Sequence, residues 1–222
     1  GLVLARIAEE DPRVDYLISR RFPFVTFGRL RDESRRLSWL DTDGHAAFSE
    51  AFDLLYALGH RHFGLVTIDE PMTFRLHRAA GLKDAIARRG DPGVRLDVVA
   101  SPRFDLHARM AQIHSLLDRP DRPTAVLGLF DGLALSVVEA AARLGLSAPG
   151  DLSVIGFDNT HAATLCQPGL TTFDAAIHDS AETIAGMLAR AVADRNAPPE
   201  TRLTRAEFAP RGTHGPAPRR RD

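Results

Sequence analysis

Two short apolar runs, each closed by an aspartate, bracket a segment of helical periodicity, and few folds admit that order. Ala125-Val126-Leu127-Gly128-Leu129 leads through Phe130 to Asp131, and Leu152-Ser153-Val154-Ile155-Gly156-Phe157 leads to Asp158. Nearly continuous apolar runs of this length mark strands of a parallel sheet covered on both faces. Between them Leu133, Val137, Ala141 and Leu144 recur at helical spacing, so the segment reads as strand, helix, strand with a right-handed crossover. Ligands of such sheets bind outside the carboxyl ends of the strands, which makes Asp131 and Asp158 candidate ligand contacts. Asp131 is also a candidate N-cap, alone or combined with ligand contact. Asp158 precedes Asn159 and Thr160, and an Asx turn is its alternative reading.

The rest of the chain continues the alternation. A strand is expected at Leu2–Ala5, a helix near Pro12–Arg20 capped by Asp11, and a strand at Phe22–Phe27. After a polar loop through Arg31–Arg36 come a short strand at Leu37–Leu40, a helix at Asp43–Leu58 stopped by Gly59, and a strand at Phe63–Ile68. Helix Thr73–Arg89, strand Leu96–Val99 and helix Asp105–Leu117 fill the middle, and a helix at His178–Val192 ends before Asn196-Ala197-Pro198-Pro199. From Thr213 onward Gly, Pro and Arg219-Arg220-Arg221 read as a frayed tail. Alternating elements of this kind predict an α/β protein with parallel sheets.

Three blocks carry a resemblance to a known family. The first is Pro123-Thr124-Ala125 through Asp131, Ala148-Pro149-Gly150-Asp151-Leu152-Ser153-Val154-Ile155-Gly156-Phe157-Asp158 and Pro168-Gly169-Leu170-Thr171-Thr172. The second is Trp39-Leu40-Asp41-Thr42-Asp43-Gly44, Ala57-Leu58-Gly59-His60-Arg61-His62 and Arg78-Ala79-Ala80-Gly81-Leu82; the third is Glu207-Phe208-Ala209-Pro210-Arg211-Gly212-Thr213. Together they resemble the effector-binding region of the lactose-repressor/galactose-repressor family of bacterial transcription regulators, over nearly the whole chain.

The resemblance implies two Rossmann-like lobes of the periplasmic-binding-protein type, with a ligand clamped between them. The N-terminal lobe is expected at 1–40 and 176–201, the C-terminal lobe at 41–175 and 202–215, and a disordered tail at 216–222. Chain crossings fall near Asp41, Ala175 and Arg202. Strand Leu2–Ala5 becomes the third of its lobe, so the first lobe is expected to be incomplete here, with a helix-turn-helix DNA reader upstream. The implied protein is a cytoplasmic homodimer that binds operator DNA through that reader, responds to a sugar-like effector, and has no membrane partner.

Neutral polyols call for carboxylates, a planar guanidinium and flat rings. By resemblance Arg78 is the arginine that meets ligand hydroxyls, Asp158 the acid at a strand end, Phe104 the aromatic against the ligand ring, and Trp39 an aromatic at the first crossing. By residue type alone, Arg78 reads as a surface residue, and Trp39 and Phe104 as core. Two positions depart from the family pattern. Phe130 stands where many relatives carry Asn, and Asp174-Ala175 where many carry Gln. A ring and a methyl group in place of two amides imply a more apolar pocket, suited to a substituted sugar, an oligosaccharide face or a nucleoside.

Other chemistries find little footing. There is no G-x-G-x-x-G, no G-x-S-x-G and no H-E-x-x-H, and the sole lysine, Lys83, lies outside any P-loop pattern. No cofactor or metal is expected, and His60 and His62 read as a turn before a strand. Catalysis by Asp131 and Asp158 as acid and base is a weaker alternative, and no enzyme activity is expected. A formal net charge of -1 offers no basic nucleic-acid surface on these residues. A single cysteine, Cys166, suits a reducing compartment, and no apolar run approaches the roughly 20 residues of a membrane span. An extracytoplasmic sugar-binding protein would share the fold, but the Gly59-His60 and Ala148-Pro149-Gly150-Asp151 blocks resemble the regulator branch.

Overall fold

The computed structural model describes residues 1–32 and 35–218, apart from the side chain of His178. Two four-stranded parallel sheets organise them. The first has the order β1 (Leu2–Ala5), β2 (Phe24–Phe27), β3 (Trp39–Thr42), β9 (Thr201–Thr204). The second has β5 (Arg95–Ser101), β4 (His62–Ile68), β6 (Ala125–Gly128), β7 (Ser153–Ile155). β8 (Thr172–Asp174) and β10 (Glu207–Ala209) form an antiparallel ribbon, with Phe173 opposite Phe208. The two larger sheets are parallel, as expected, and a parallel bridge between Ile155 and Thr171 links the second of them to the segment leading into the ribbon.

Each sheet is covered on both faces, as its apolar strands require. On the first, Val14 and Leu17 of α1 (Pro12–Ser19) pack with Leu4 and Phe24, while Met187 of α7 (Ile177–Ala193) packs with Val25 and Leu40. On the second, β4 alternates in period two. Phe63 and Leu65 meet α2 (Gly44–Ala57) and α3 (Thr73–Arg89), and Val66 and Ile68 meet α4 (Leu106–Leu117) and α5 (Asp131–Arg143). Phe48, Phe52, Phe63, Phe157 and Phe173 are fully buried in the first of these layers, each contributing about 1.5–3 kcal/mol of transfer free energy. α2 and α3 cross so closely that a Cβ on Gly81 would lie 2.1 Å from the His45 carbonyl oxygen.

Helix starts follow local chemistry. Asp11, Asp43 and Asp105 accept from the main-chain N–H of Arg13, Ala46 and Ala108 and cap α1, α2 and α4. Asp131 does not cap α5. It is the first helical residue, after Phe130, and its carboxylate is held elsewhere.

The chain passes between the sheets after Thr42, between β8 and α7, and after Thr204. The sheets also meet directly at one edge. Ala8 bridges Met72 in antiparallel fashion, Glu9 N–H donates to the Pro71 carbonyl at 2.8 Å, and Thr73 N–H to the Ile7 carbonyl at 2.9 Å.

The segment from Thr213, expected to fray, is docked. The Thr213 hydroxyl donates to the Val154 carbonyl at 2.8 Å, and Ala217 N–H to the Leu58 carbonyl at 2.9 Å. His60, expected in a turn, anchors the same segment. It is fully buried, with Nε2 3.1 Å from the Gly215 carbonyl and Nδ1 2.9 Å from Thr124 Oγ1. A carbonyl only accepts, so Nε2 carries the proton and Nδ1 accepts from the threonine. The expectation for Arg219-Arg220-Arg221 lies outside the described residues.

Candidate functional site

A cavity of about 330 Å³ lies between the carboxyl ends of the two sheets, at the low end of the usual size for a small-molecule site. Ala5 and Phe27, at the carboxyl ends of β1 and β2, and Ile7 line it from the first sheet's side, and Thr73 and Phe74, at the start of α3, and Phe130, just before α5, from the second's. Arg6, Arg78 and Arg103 and the carboxylates of Asp41 and Asp158 supply its charge.

Arg78 projects from α3 and is 11% exposed in its side chain. Its Nη1 donates to the Leu129 carbonyl at 2.5 Å, its Nη2 lies 3.5 Å from Asp158, and its guanidinium carbon sits 3.7 Å over the Phe157 ring. Burial lowers its pKa, while Asp158, Asp41 and Asp131 pull the other way; an arginine stays charged through such shifts. The geometry fixes a flat donor against an aromatic floor, an arrangement that leaves remaining N–H directions for a ligand.

Asp158 ends the β7 run. Burial pushes its carboxyl up to about 6, against the pull of Arg78, and neighbouring Asp131 adds to the rise. Its backbone is left-handed, φ 109°, as is that of Asn159, φ 51°, a conformation that non-glycine residues hold only where the surroundings impose it. The surroundings here are specific. Asn159 Nδ2 donates to Asp174 at 2.8 Å, its Oδ1 accepts from Arg211 at 2.5 Å, and Thr160 N–H donates to Asp131 at 2.7 Å.

Asp131 is therefore a brace below the cavity. It is fully buried, accepting from the Thr160 hydroxyl at 2.9 Å and the Thr172 hydroxyl at 2.5 Å. A Cβ on Gly156 would sit 2.4 Å from its Oδ1, so only glycine fits there.

The other expected residues divide. Phe130 and Ala175, the ring and the methyl group in place of two amides, both line the cavity. Asp174 turns its carboxylate to Ala176 N–H and Asn159. Trp39 does not line the cavity; it packs against the α1 face of the first sheet. Phe104 is 84% exposed and outside the cavity, and the residue before it, Arg103, lines it instead. A one-residue shift in loop register separates the two.

Sequence reasoning passed over Asp41 and Arg103. Asp41 is the last residue but one of β3, close to the strand-end position that singled out Asp158. Burial raises its pKa against the pull of Arg29, whose Nε is 3.3 Å away. Among the described residues no cluster of three His, Cys, Asp or Glu side chains is placed to hold a metal, and no helix is long and apolar enough to cross a membrane.

The sequence profile of the family described as a periplasmic binding protein-like domain matches residues 52–214. The chain belongs to this family. Among relatives of this periplasmic binding protein-like domain is the HTH-type transcriptional regulator AglR of Rhizobium meliloti, 33% identical over 99% of this chain and 62% of AglR. The HTH-type transcriptional repressor CytR of Escherichia coli is 37% identical over 59% of this chain and 38% of CytR. The chain thus spans less than two thirds of either regulator. A solved LacI-family regulatory protein from Chloroflexus aggregans superposes with a TM-score of 0.84 at 27% identity, over 96% of this chain and 76% of that one. The chain is similar to the lactose-repressor/galactose-repressor regulators in both sequence and fold, as its three motif blocks implied.

Proposed function

We propose that this chain is the effector-binding and dimerisation part of a transcription regulator, and that its effector is a small sugar-like polyol held in the cleft. The observation that carries this reading is the fixed Arg78 guanidinium, stacked on Phe157 and paired with Asp158, at the junction of two sheets in a chain whose relatives are regulators. Arg78 donates to ligand hydroxyls, Asp158 and Asp41 accept from them, and the Phe130 ring and Ala175 methyl group face the less polar part of the ligand. That wall favours a substituted sugar, an oligosaccharide end or a nucleoside over a free hexose.

In this reading residues 1–40 and 176–201 form one lobe, and 41–175 and 202–215 the other. Two chains pair in the cytoplasm and present DNA-reading domains of the full protein to an operator's half-sites. An effector that prefers one relative arrangement of the lobes shifts operator affinity by its differential affinity for the two. No catalytic step is assigned to the cleft acids.

Thermal melting against mono-, di- and oligosaccharides and nucleosides tests the reading. A ligand at a hundred times its Kd stabilises by about 2.7 kcal/mol, a rise of about 5–11 °C for a chain of this size. The rise is expected to saturate and to vanish in Arg78→Ala. A rise that survives Arg78→Ala would place binding elsewhere.

A further inference from the structure

The charges around the cleft pair off, with one exception. Arg78 faces Asp158 at 3.5 Å, Arg29 faces Asp41 at 3.3 Å, and Arg6 faces Glu70 at 3.6 Å. Arg103 lines the same cavity and has no carboxylate within ion-pair distance among the described residues. Among the described residues its one side-chain partner is the ring of Phe104, 5.0 Å from the guanidinium carbon. Its Nη1 is buried and makes no hydrogen bond. The loop that carries it is pinned from behind: Arg109 Nη2 donates to the Arg103 carbonyl, and Asp105 caps α4 through Ala108 N–H at 2.8 Å.

A guanidinium that lines a cleft without a counter-charge is unfavourable, and the partner that compensates best is itself ionised. A ligand hydroxyl would satisfy one N–H and leave the charge unbalanced. A carboxylate or phosphate would satisfy both, through the planar fork. The two carboxylates of the cleft each have an arginine already, so the surplus positive charge belongs to Arg103.

We propose that the effector is an anion, a polyol bearing one carboxylate or phosphate group, with Arg103 as the residue that selects the charged group. The proposal rests on the sugar-like reading of the cleft and adds the charge to it. The hydroxyls meet Arg78 and Asp158, and the negative group lies at Arg103.

Isothermal titration of the chain with neutral mono- and disaccharides, the matching uronates and aldonates, and the matching sugar phosphates decides it. At least one acid is expected to bind tenfold or more tightly than its neutral counterpart. In Arg103→Gln that ratio falls to near one while affinity for the neutral counterpart holds, and Arg103→Lys restores part of it. The uronate and phosphate arms tell which anion is read. A neutral sugar that binds as tightly as its acids, or a ratio untouched by Arg103→Gln, overturns the charge assignment and leaves the cleft reading standing if Arg78→Ala still abolishes binding. Absence of binding by every compound removes the cleft reading and the charge assignment together.

Discussion

Replacing Asp131 with alanine tests the claim that this residue braces the site rather than capping a helix. Three donors converge on its carboxylate: Thr160 N–H, the Thr160 hydroxyl and the Thr172 hydroxyl, at 2.7, 2.9 and 2.5 Å. Thr172 is fully buried and has no route to water. Losing a charged acceptor there is worth about 1.5–3 kcal/mol. Thr160 is exposed, so water takes over much of its bonding, and its two contacts add about 1 kcal/mol together. The sum, about 2.5–4 kcal/mol, corresponds to a fall in Tm of about 5–16 °C at 2–4 °C per kcal/mol. Asp131→Asn keeps one carbonyl acceptor and is expected to lose about half as much. Melting followed by far-ultraviolet circular dichroism measures both, and the double variant Asp131→Ala/Thr172→Val gives the coupling. Because the two residues share one bond, the double variant is expected to lose less than the sum of the singles. An Asp131→Ala protein within about 1 kcal/mol of the parent, or strictly additive losses, would refute the bracing account.

Asp158, pushed up to about 6 from an ordinary 3.8, binds more protons folded than unfolded between those values, so its contribution to stability declines as pH rises from about 4 to 6. Asp158→Asn is expected to flatten Tm against pH in that window, and an unchanged profile would contradict the assignment. His60 has the opposite sign. Burial lowers its pKa below 6.5, so its contribution is complete above that pH and is lost as pH falls below it. His60→Ala is expected to cost about 2–4 kcal/mol and to speed hydrogen exchange at Gly215 and Ala217. Gly81→Ala forces a methyl group against the His45 carbonyl and is expected to lose about 3 kcal/mol or more, read as a drop in Tm or in soluble yield.

Strands and helices were legible where the signal is local. β4, β6 and β7 are apolar runs, and Asp11, Asp43 and Asp105 cap their helices through bonds two or three residues away. Asp131 has the same local signature. Its partners lie 29 and 41 residues on, where periodicity does not reach, and they win. The tail fails as a composition argument for the same reason. Gly215 and Pro216 look like a fraying end, yet Gly215 N–H meets Ser153 Oγ at 3.0 Å and Ala217 reaches Leu58. In the site, a residue on a regular element such as Arg78 could be placed from its motif, whereas the choice between Arg103 and Phe104 depends on how a short loop turns. Trp39 opens β3, two residues before Asp41, and that distance along the strand is enough to take it from the cleft to the α1 layer, leaving the cleft to Asp41.

The bonds from Glu9 to Pro71 and from Thr73 to Ile7 give the two sheets a fulcrum. Any rotation of one sheet on the other must either strip those main-chain pairs or turn about them, and turning leaves them intact. A lever on a fixed fulcrum moves most at its far end. For the first sheet that end is the set of loops leading into β2 and β9, around Phe22-Pro23 and Pro198-Pro199, a strand's length from the cleft. A tilt too small to alter the cavity much would therefore be read out as a larger displacement there, which is where a device that converts occupancy into position gains most.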